Sequence, residues 1–207
     1  MKNKQKNEGK TSVSLWGMFL FFILIAIDQL TKLFADVYFS VTGAPDKIVL
    51  IDGWLELCMT HNRGIAYGVG ADASPALKIA VIVATAIMMA GLFVWYFTLD
   101  KKRNVLRTAL VFIVAGGVGN LIDRVYYQVW DPATWPLGVR DMVNLERFGF
   151  AVCNFADFFI SAGAVMVIFA LLFFDKDAMC PIGKYKKLAQ EERENQAEES
   201  KDGEVNG

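Results

Sequence analysis

The run IAVIVATAIMMAGLFVWYFTL, residues 79–99, carries no charge between Lys78 and Asp100. About 20 apolar residues rising ~1.5 Å each cover a hydrocarbon layer of roughly 30 Å, so the run reads as a transmembrane helix. Three more stretches read the same way once their sparse polar residues are allowed for: 15–35, 105–123 and 151–174. Composition agrees, with 55% hydrophobic residues, 16 Phe among 207 positions and a mean hydropathy of +0.36. A single water-soluble core does not use that mixture. The sequence therefore predicts an all-α polytopic membrane protein with four transmembrane helices.

Basic residues orient the spans. Lys2, Lys4, Lys6 and Lys10 precede the first, Lys101, Lys102, Arg103 and Arg107 lie between the second and third, and Lys176, Lys184, Lys186 and Lys187 follow the fourth. By the positive-inside rule both termini and the middle loop are cytoplasmic, and the loops at 36–77 and 124–150 face outward. This divides the chain into a basic tail (1–14), a membrane domain (15–175) and a charged cytoplasmic tail (176–207), the last expected to be disordered or weakly helical. In the first outer loop, KIVLI and WLELC flank Asp52-Gly53, a hairpin signal that predicts a small outward-facing β-sheet. The second holds Trp130, Pro132, Trp135 and Pro136, which suit an irregular loop at the membrane interface, over the site.

Three aspartates sit inside or at the lip of the spans: Asp28, Asp123 and Asp157. A charge at a helix centre costs on the order of 2.5–3.5 kcal/mol on insertion scales, so each asks for a functional explanation. Chain direction places all three, with Lys32, Asn120, Arg124, Asn154 and Ser161, near the outer face. Asn120 with Asp123, and Asn154 with Asp157, are i,i+3 pairs projecting from one helical face. The glycines at 116, 117 and 119 permit close helix approach. Asp28 with Lys32 is either a structural ion pair or a support of a site, and Asp123 beside Arg124 either marks a helix end with its counterion or serves that site. Asp157 has no adjacent cation and is followed by an uncharged run, which favours function.

One histidine, His61, excludes HExxH zinc chemistry and stands in no nucleophile motif. Cys58, Cys153 and Cys180 lack metal-ligand or disulfide spacing and read as packing residues. A net charge of -1 gives no sign of nucleic-acid binding. Paired carboxylates remain, and these hydrolyse amides without metal or cofactor. A proton- or ion-coupled transporter and a non-catalytic membrane scaffold are rival readings of intramembrane acids.

Five blocks in order carry a resemblance. They are Asp28-Gln29-Leu30-Thr31-Lys32, Asn62-Arg63-Gly64-Ile65-Ala66-Tyr67-Gly68, Gly116 through Arg124, Val139-Arg140-Asp141-Met142, and Asn154-Phe155-Ala156-Asp157. Over about residues 15–175 the chain resembles the lipoprotein signal peptidases, or signal peptidase II, a family of intramembrane aspartyl peptidases. The resemblance implies a catalytic dyad of Asp141 and Asp157, moving the second carboxylate from Asp123, which hydropathy favours, to a loop residue. It makes Asp28, Lys32, Asn62, Gly64, Asn120, Asp123, Arg124 and Asn154 substrate-binding or supporting residues. It implies no metal or cofactor, and as substrate a diacylglyceryl-modified prolipoprotein cut before the lipidated cysteine. The expected setting is the bacterial inner membrane, with the site near its outer face, lipid as neighbour, no nucleic acid, and a monomer. The chain departs from the family pattern in four places. Residues 125–138 look like an insertion, Arg140 stands where a second valine is usual, Met142 where phenylalanine is usual, and Tyr67 replaces phenylalanine. Asp131, in the insertion, is the competing loop aspartate.

Overall fold

A computed structural model describes residues 15–64, 68–174 and 178–205. The basic tail, Tyr67 and Lys176 lie outside them. Four helices are long and apolar enough to cross a membrane: α1 (Leu15–Ser40), α2 (Pro75–Thr98), α3 (Asn104–Tyr126) and α4 (Phe155–Leu172). Each end has a local cause. Helix α1 runs past the expected residue 35 because no breaker intervenes before Gly43, whose φ of 86° only glycine adopts freely. Helix α2 opens on Pro75 after the Ser74 cap, whose hydroxyl accepts from the Leu77 N–H at 3.4 Å. Helix α4 starts at 155 rather than 151 because Cys153 pairs with Val143 as an isolated β-bridge and Asn154 caps the helix.

Helix α3 is the hub, packed against α1, α2 and α4 and the most buried of the four. Its glycines make that possible: a Cβ on Gly116 would collide with the Ala156 carbonyl of α4, and one on Gly117 with Met89 of α2. Elsewhere the helices expose apolar side chains, among them Ile87, Met88, Val94, Val165 and Ile168. That inversion is expected where the surrounding solvent is hydrocarbon.

The hairpin at Asp52-Gly53 forms between β1 (Lys47–Ile51) and β2 (Leu55–Asn62), with Gly53 at φ 67°. A third strand, β3 (Val139–Asn144), adds antiparallel to β2, giving the sheet order β1-β2-β3. This corrects the loop assignment of Asp141, which lies in β3 opposite Thr60. The strand escapes a hydropathy reading because it is buried along most of its length yet carries Arg140 and Asp141 in its middle.

The tail, expected to be disordered or weakly helical, contains helix α5 (Lys184–Val205). Its Lys, Glu, Gln and Ala content favours helix, and its start is anchored by buried Tyr185 and Ala189, Tyr185 lying 6.4 Å from Phe174.

Candidate active site

Where α4 begins, the first backbone N–H groups need partners because no preceding turn supplies them. Asn154 and Asp157 form a reciprocal capping box: Asn154 Oδ1 accepts from the Asp157 N–H at 3.1 Å and Asp157 Oδ2 from the Asn154 N–H at 3.1 Å. The carboxylate of Asp28, from α1, takes the Ala156 N–H at 2.9 Å. Local helix chemistry thereby fixes two aspartates at one helix N-terminus, where negative charge is favoured.

The fully buried Asn154 side chain then reaches across to β3. Its Nδ2 donates to Asp141 Oδ1 at 2.6 Å, to Asn120 Oδ1 at 3.0 Å and to the Arg140 carbonyl at 3.3 Å. Asn120 Nδ2 in turn donates to Asp157 Oδ1 at 2.8 Å. Two carboxyls from separate elements, Asp141 and Asp157, are therefore cross-linked through two asparagines. Both line a cavity of about 530 Å³ with Asn62, Asn120, Arg124 and Ser161. Asn62 also bonds the Asp141 carboxyl, while its Oδ1 accepts from the Gly64 N–H at 2.8 Å. Burial, and then the neighbouring charge of Asp157, push the Asp141 carboxyl from the ordinary 3.8 up to about 7. Burial, and then the same two carboxyls, push the Cys153 thiol up to about 11, leaving it protonated near neutrality.

Behind the cavity lies a second layer. Lys32 Nζ is 2.8 Å from Asp28 Oδ2 and 3.5 Å from Asp123 Oδ2, and donates to Asn120 Oδ1 at 3.0 Å. Asp28, Lys32 and Asp123 are fully buried, and a Cβ on Gly119 would strike the Asp28 carboxylate. Asp123 does not take Arg124 as its counterion, since consecutive helical residues diverge. Its partners are Arg140, at 2.8 Å, and Lys32. Arg124 turns to the cavity and donates to the carbonyls of Gly64 at 3.2 Å and Asn120 at 3.4 Å. Asp131 caps a short 3-10 turn by accepting from the Ala133 N–H at 2.9 Å, away from the carboxyls.

All ten predicted site residues fall in or directly behind one region, and three more join them. Arg140 closes the charge layer. Gln29 bridges Asp28, the Gly119 carbonyl and Arg140. Arg63 clasps the inserted stretch, donating to the carbonyls of Val129, Asp131 and Leu137 and to the Thr134 hydroxyl. That stretch is tied to Arg63 and His61 at the end of β2, and Leu145 and Phe150 through Cys153 border the cavity. A cation beside a motif aspartate was the available signal for Arg140. Arg63 and Gln29 carried none, because ordinary polar residues next to a motif look solvated.

Comparison with known proteins bears on the whole arrangement. A family model described as signal peptidase (SPase) II matches residues 20–173. The lipoprotein signal peptidase of Fusobacterium nucleatum is 33% identical, the match covering 79% of this chain and 90% of that protein. That of Borrelia hermsii is 30% identical over 73% of this chain and 86% of the relative. Two solved structures of bacterial membrane enzymes share the fold, at TM-scores of 0.60 and 0.59. They are 24% and 23% identical, each match covering 76% of this chain and 87% or 92% of the other.

Proposed function

This chain belongs to the signal peptidase II family, and from that premise we propose that Asp141 and Asp157 are the catalytic pair of a membrane aspartic endopeptidase removing signal peptides from prolipoproteins. The observation carrying the assignment is the Asn154 side chain, which binds the Asp141 carboxyl while capping the helix that bears Asp157. Two carboxyls so linked share a proton near neutral pH, because both cannot ionise cheaply. The ionised member takes a proton from water as its oxygen attacks the scissile carbonyl, and the protonated member donates to the carbonyl oxygen. The tetrahedral intermediate then collapses, the C–N bond breaks and the leaving amine takes a proton from the pair. Asn62 and Arg124 line the cavity as donors to the peptide backbone or the oxyanion.

The substrate is a prolipoprotein whose cysteine carries diacylglycerol, cut before that cysteine. An apolar groove of about 1030 Å³, lined by Phe34, Tyr38, Leu57, Met142 and Phe155, shares Leu145 and Phe158 with the carboxyl cavity. Acyl chains held there leave the peptide within reach of both acids. The basic turn Lys101–Arg103 lies between α2 and α3, at the bundle end remote from the carboxyls. This supports cytoplasmic termini and a site near the outer face; the chain is read as a monomer in contact with lipid. Asn62, Asn120, Asn154, Arg124 and Gly64 shape the cavity in this reading, and Asp28, Lys32 and Asp123 support it.

The test is to incubate the purified protein in detergent with a diacylglyceryl-modified precursor peptide and with its unmodified counterpart, without ATP or added metal. Mass spectrometry is expected to find two fragments, cut before the lipidated cysteine, from the modified peptide only. An intact modified peptide after prolonged incubation sinks the reading.

A further inference from the structure

Arg140 precedes Asp141 in β3, so its side chain leaves the opposite face of the strand from the cavity. There Nη2 donates to Asp123 Oδ1 at 2.8 Å and to Gln29 Oε1 at 3.2 Å, and Nε to Asp123 Oδ2 at 3.3 Å. Its backbone N–H also reaches Asp123 Oδ2, at 3.0 Å, and its carbonyl accepts from Asn154. The guanidinium lies 5.5 Å from the Tyr127 ring. One residue thus ties β3 to α1, α3 and the cap of α4, on the strand that carries Asp141.

Charge counting gives it a second consequence. Two carboxylates, Asp28 and Asp123, face two cations, Lys32 and Arg140, so the buried layer is neutral. Remove Arg140, and Lys32 is left between both carboxylates with a net negative charge behind the dyad. The other charged or titratable groups around the carboxyls are Arg124 of α3, Asp157 of α4, and the thiols of Cys58 and Cys153. Around Arg140 they are Tyr127, the Asp36 carboxylate of α1 to which the Tyr127 hydroxyl donates, and His61 of β2, whose ring packs on Tyr127. Among them Arg124 is the cation that also acts on Asp123, through space and less than on Asp157 and Asp141; the direct ion pairs of Asp123 are with Arg140 and Lys32. A valine at 140, usual in the family this chain resembles, can pack but offers neither the fork nor the charge.

We propose that Arg140 is a positioning residue for the carboxyl pair. Acting through Asp123 and β3, it holds Asp141 in register and balances the charge behind the cavity, which sets the pH at which the pair gives up its shared proton. This rests on the Asp141/Asp157 reading.

The test follows cleavage of the lipidated peptide by full-length Arg140→Met, Arg140→Gln, Arg140→Lys and the double variant Arg140→Met/Asp123→Asn, from pH 5 to 9, beside thermal unfolding. Arg140→Met is expected to lower kcat roughly tenfold and to move the alkaline limb of kcat up by about half to one pH unit, since an uncompensated carboxylate holds the shared proton more tightly. Arg140→Gln moves the limb likewise and serves if the methionine variant does not fold. Arg140→Lys restores the limb but not the rate, because an ammonium cannot grip two oxygens in a plane. The double variant returns the limb to the parent position while remaining slow. A parental limb in folded Arg140→Gln, or a limb still displaced in the double variant, overturns the proposal and leaves Arg140 a packing residue. Parent enzyme that fails to cleave at any pH instead overturns the peptidase reading on which it rests.

Discussion

Around the start of α4 the bundle is held by charge, and at its opposite end by hydrocarbon. Asp28, Lys32, Asn120, Asp123 and Asn154 are buried and paired at the first. At the second, Leu99, Leu106, Leu110, Val111 and Ala170 pack with Leu24 and Tyr96. That end has a buried cation too, Arg107, but it meets the Leu99 carbonyl at 3.2 Å and the Tyr96 ring at 4.5 Å, with no carboxylate paired to it among the described residues. The contrast separates stability from function. Well-packed hydrocarbon tolerates volume-conserving exchange, whereas a dehydrated ion cluster fails when one member goes. A chain that needed only to fold in a bilayer could use hydrocarbon packing at both ends.

Four outcomes test the contrast, the largest first. Asp141→Asn and Asp157→Asn are each expected to lower cleavage of the lipidated peptide by roughly 10³ or more while helical content by circular dichroism is kept; an active Asp141→Asn enzyme breaks the dyad assignment. Lys32→Met leaves the buried Asp28 carboxylate without a cation, Asp123 keeping Arg140, and should cost about 3–5 kcal/mol of stability. Thermal unfolding in detergent measures it, and an unchanged Tm contradicts the cluster. Leu110→Ala at the apolar end should cost about 2 kcal/mol by cavity formation, with cleavage per folded molecule unaltered. A rate loss there would show that the two ends are coupled.

The fourth and smallest effect is on pH. Asp141 has an ordinary pKa of 3.8 and one of about 7 in the fold, so between those values the folded chain binds more protons than the unfolded one. Its contribution to stability is therefore lost as pH rises through that window, and cleavage should fall above about pH 7 as the shared proton leaves. Stability of Asp141→Asn is expected to be flatter over the same range, measured by unfolding at a series of pH values. A parental slope in that variant would assign the proton uptake to another group.

Much of this was legible before any coordinates. The four spans follow from apolar runs, the hairpin from Asp52-Gly53, and Asp157 from an acid with no neighbouring cation ahead of a long uncharged run. Strand β3 was not legible, because Arg140 and Asp141 interrupt the apolar pattern that reveals buried strands. The counterion of Asp123 was misleading in sequence, where Arg124 is adjacent but points elsewhere on the helix. Helix α5 was left open between coil and helix, because its acidic composition resembles solvated coil while its lysines and glutamates are good helix formers.

By itself the sequence determined that the chain crosses a bilayer four times and keeps its costly polar groups near one face, because hydrophobicity and spacing are local, additive properties. The motifs paired Asp141 with Asp157 by resemblance alone, and only the tertiary structure supplied the contacts that join them. Asn154 joins Asp141 to Asp157 across 16 positions of chain, and Arg140 meets Asp123 from 17 positions away. Such pairings depend on strand register and helix packing, and neither is written in any single segment.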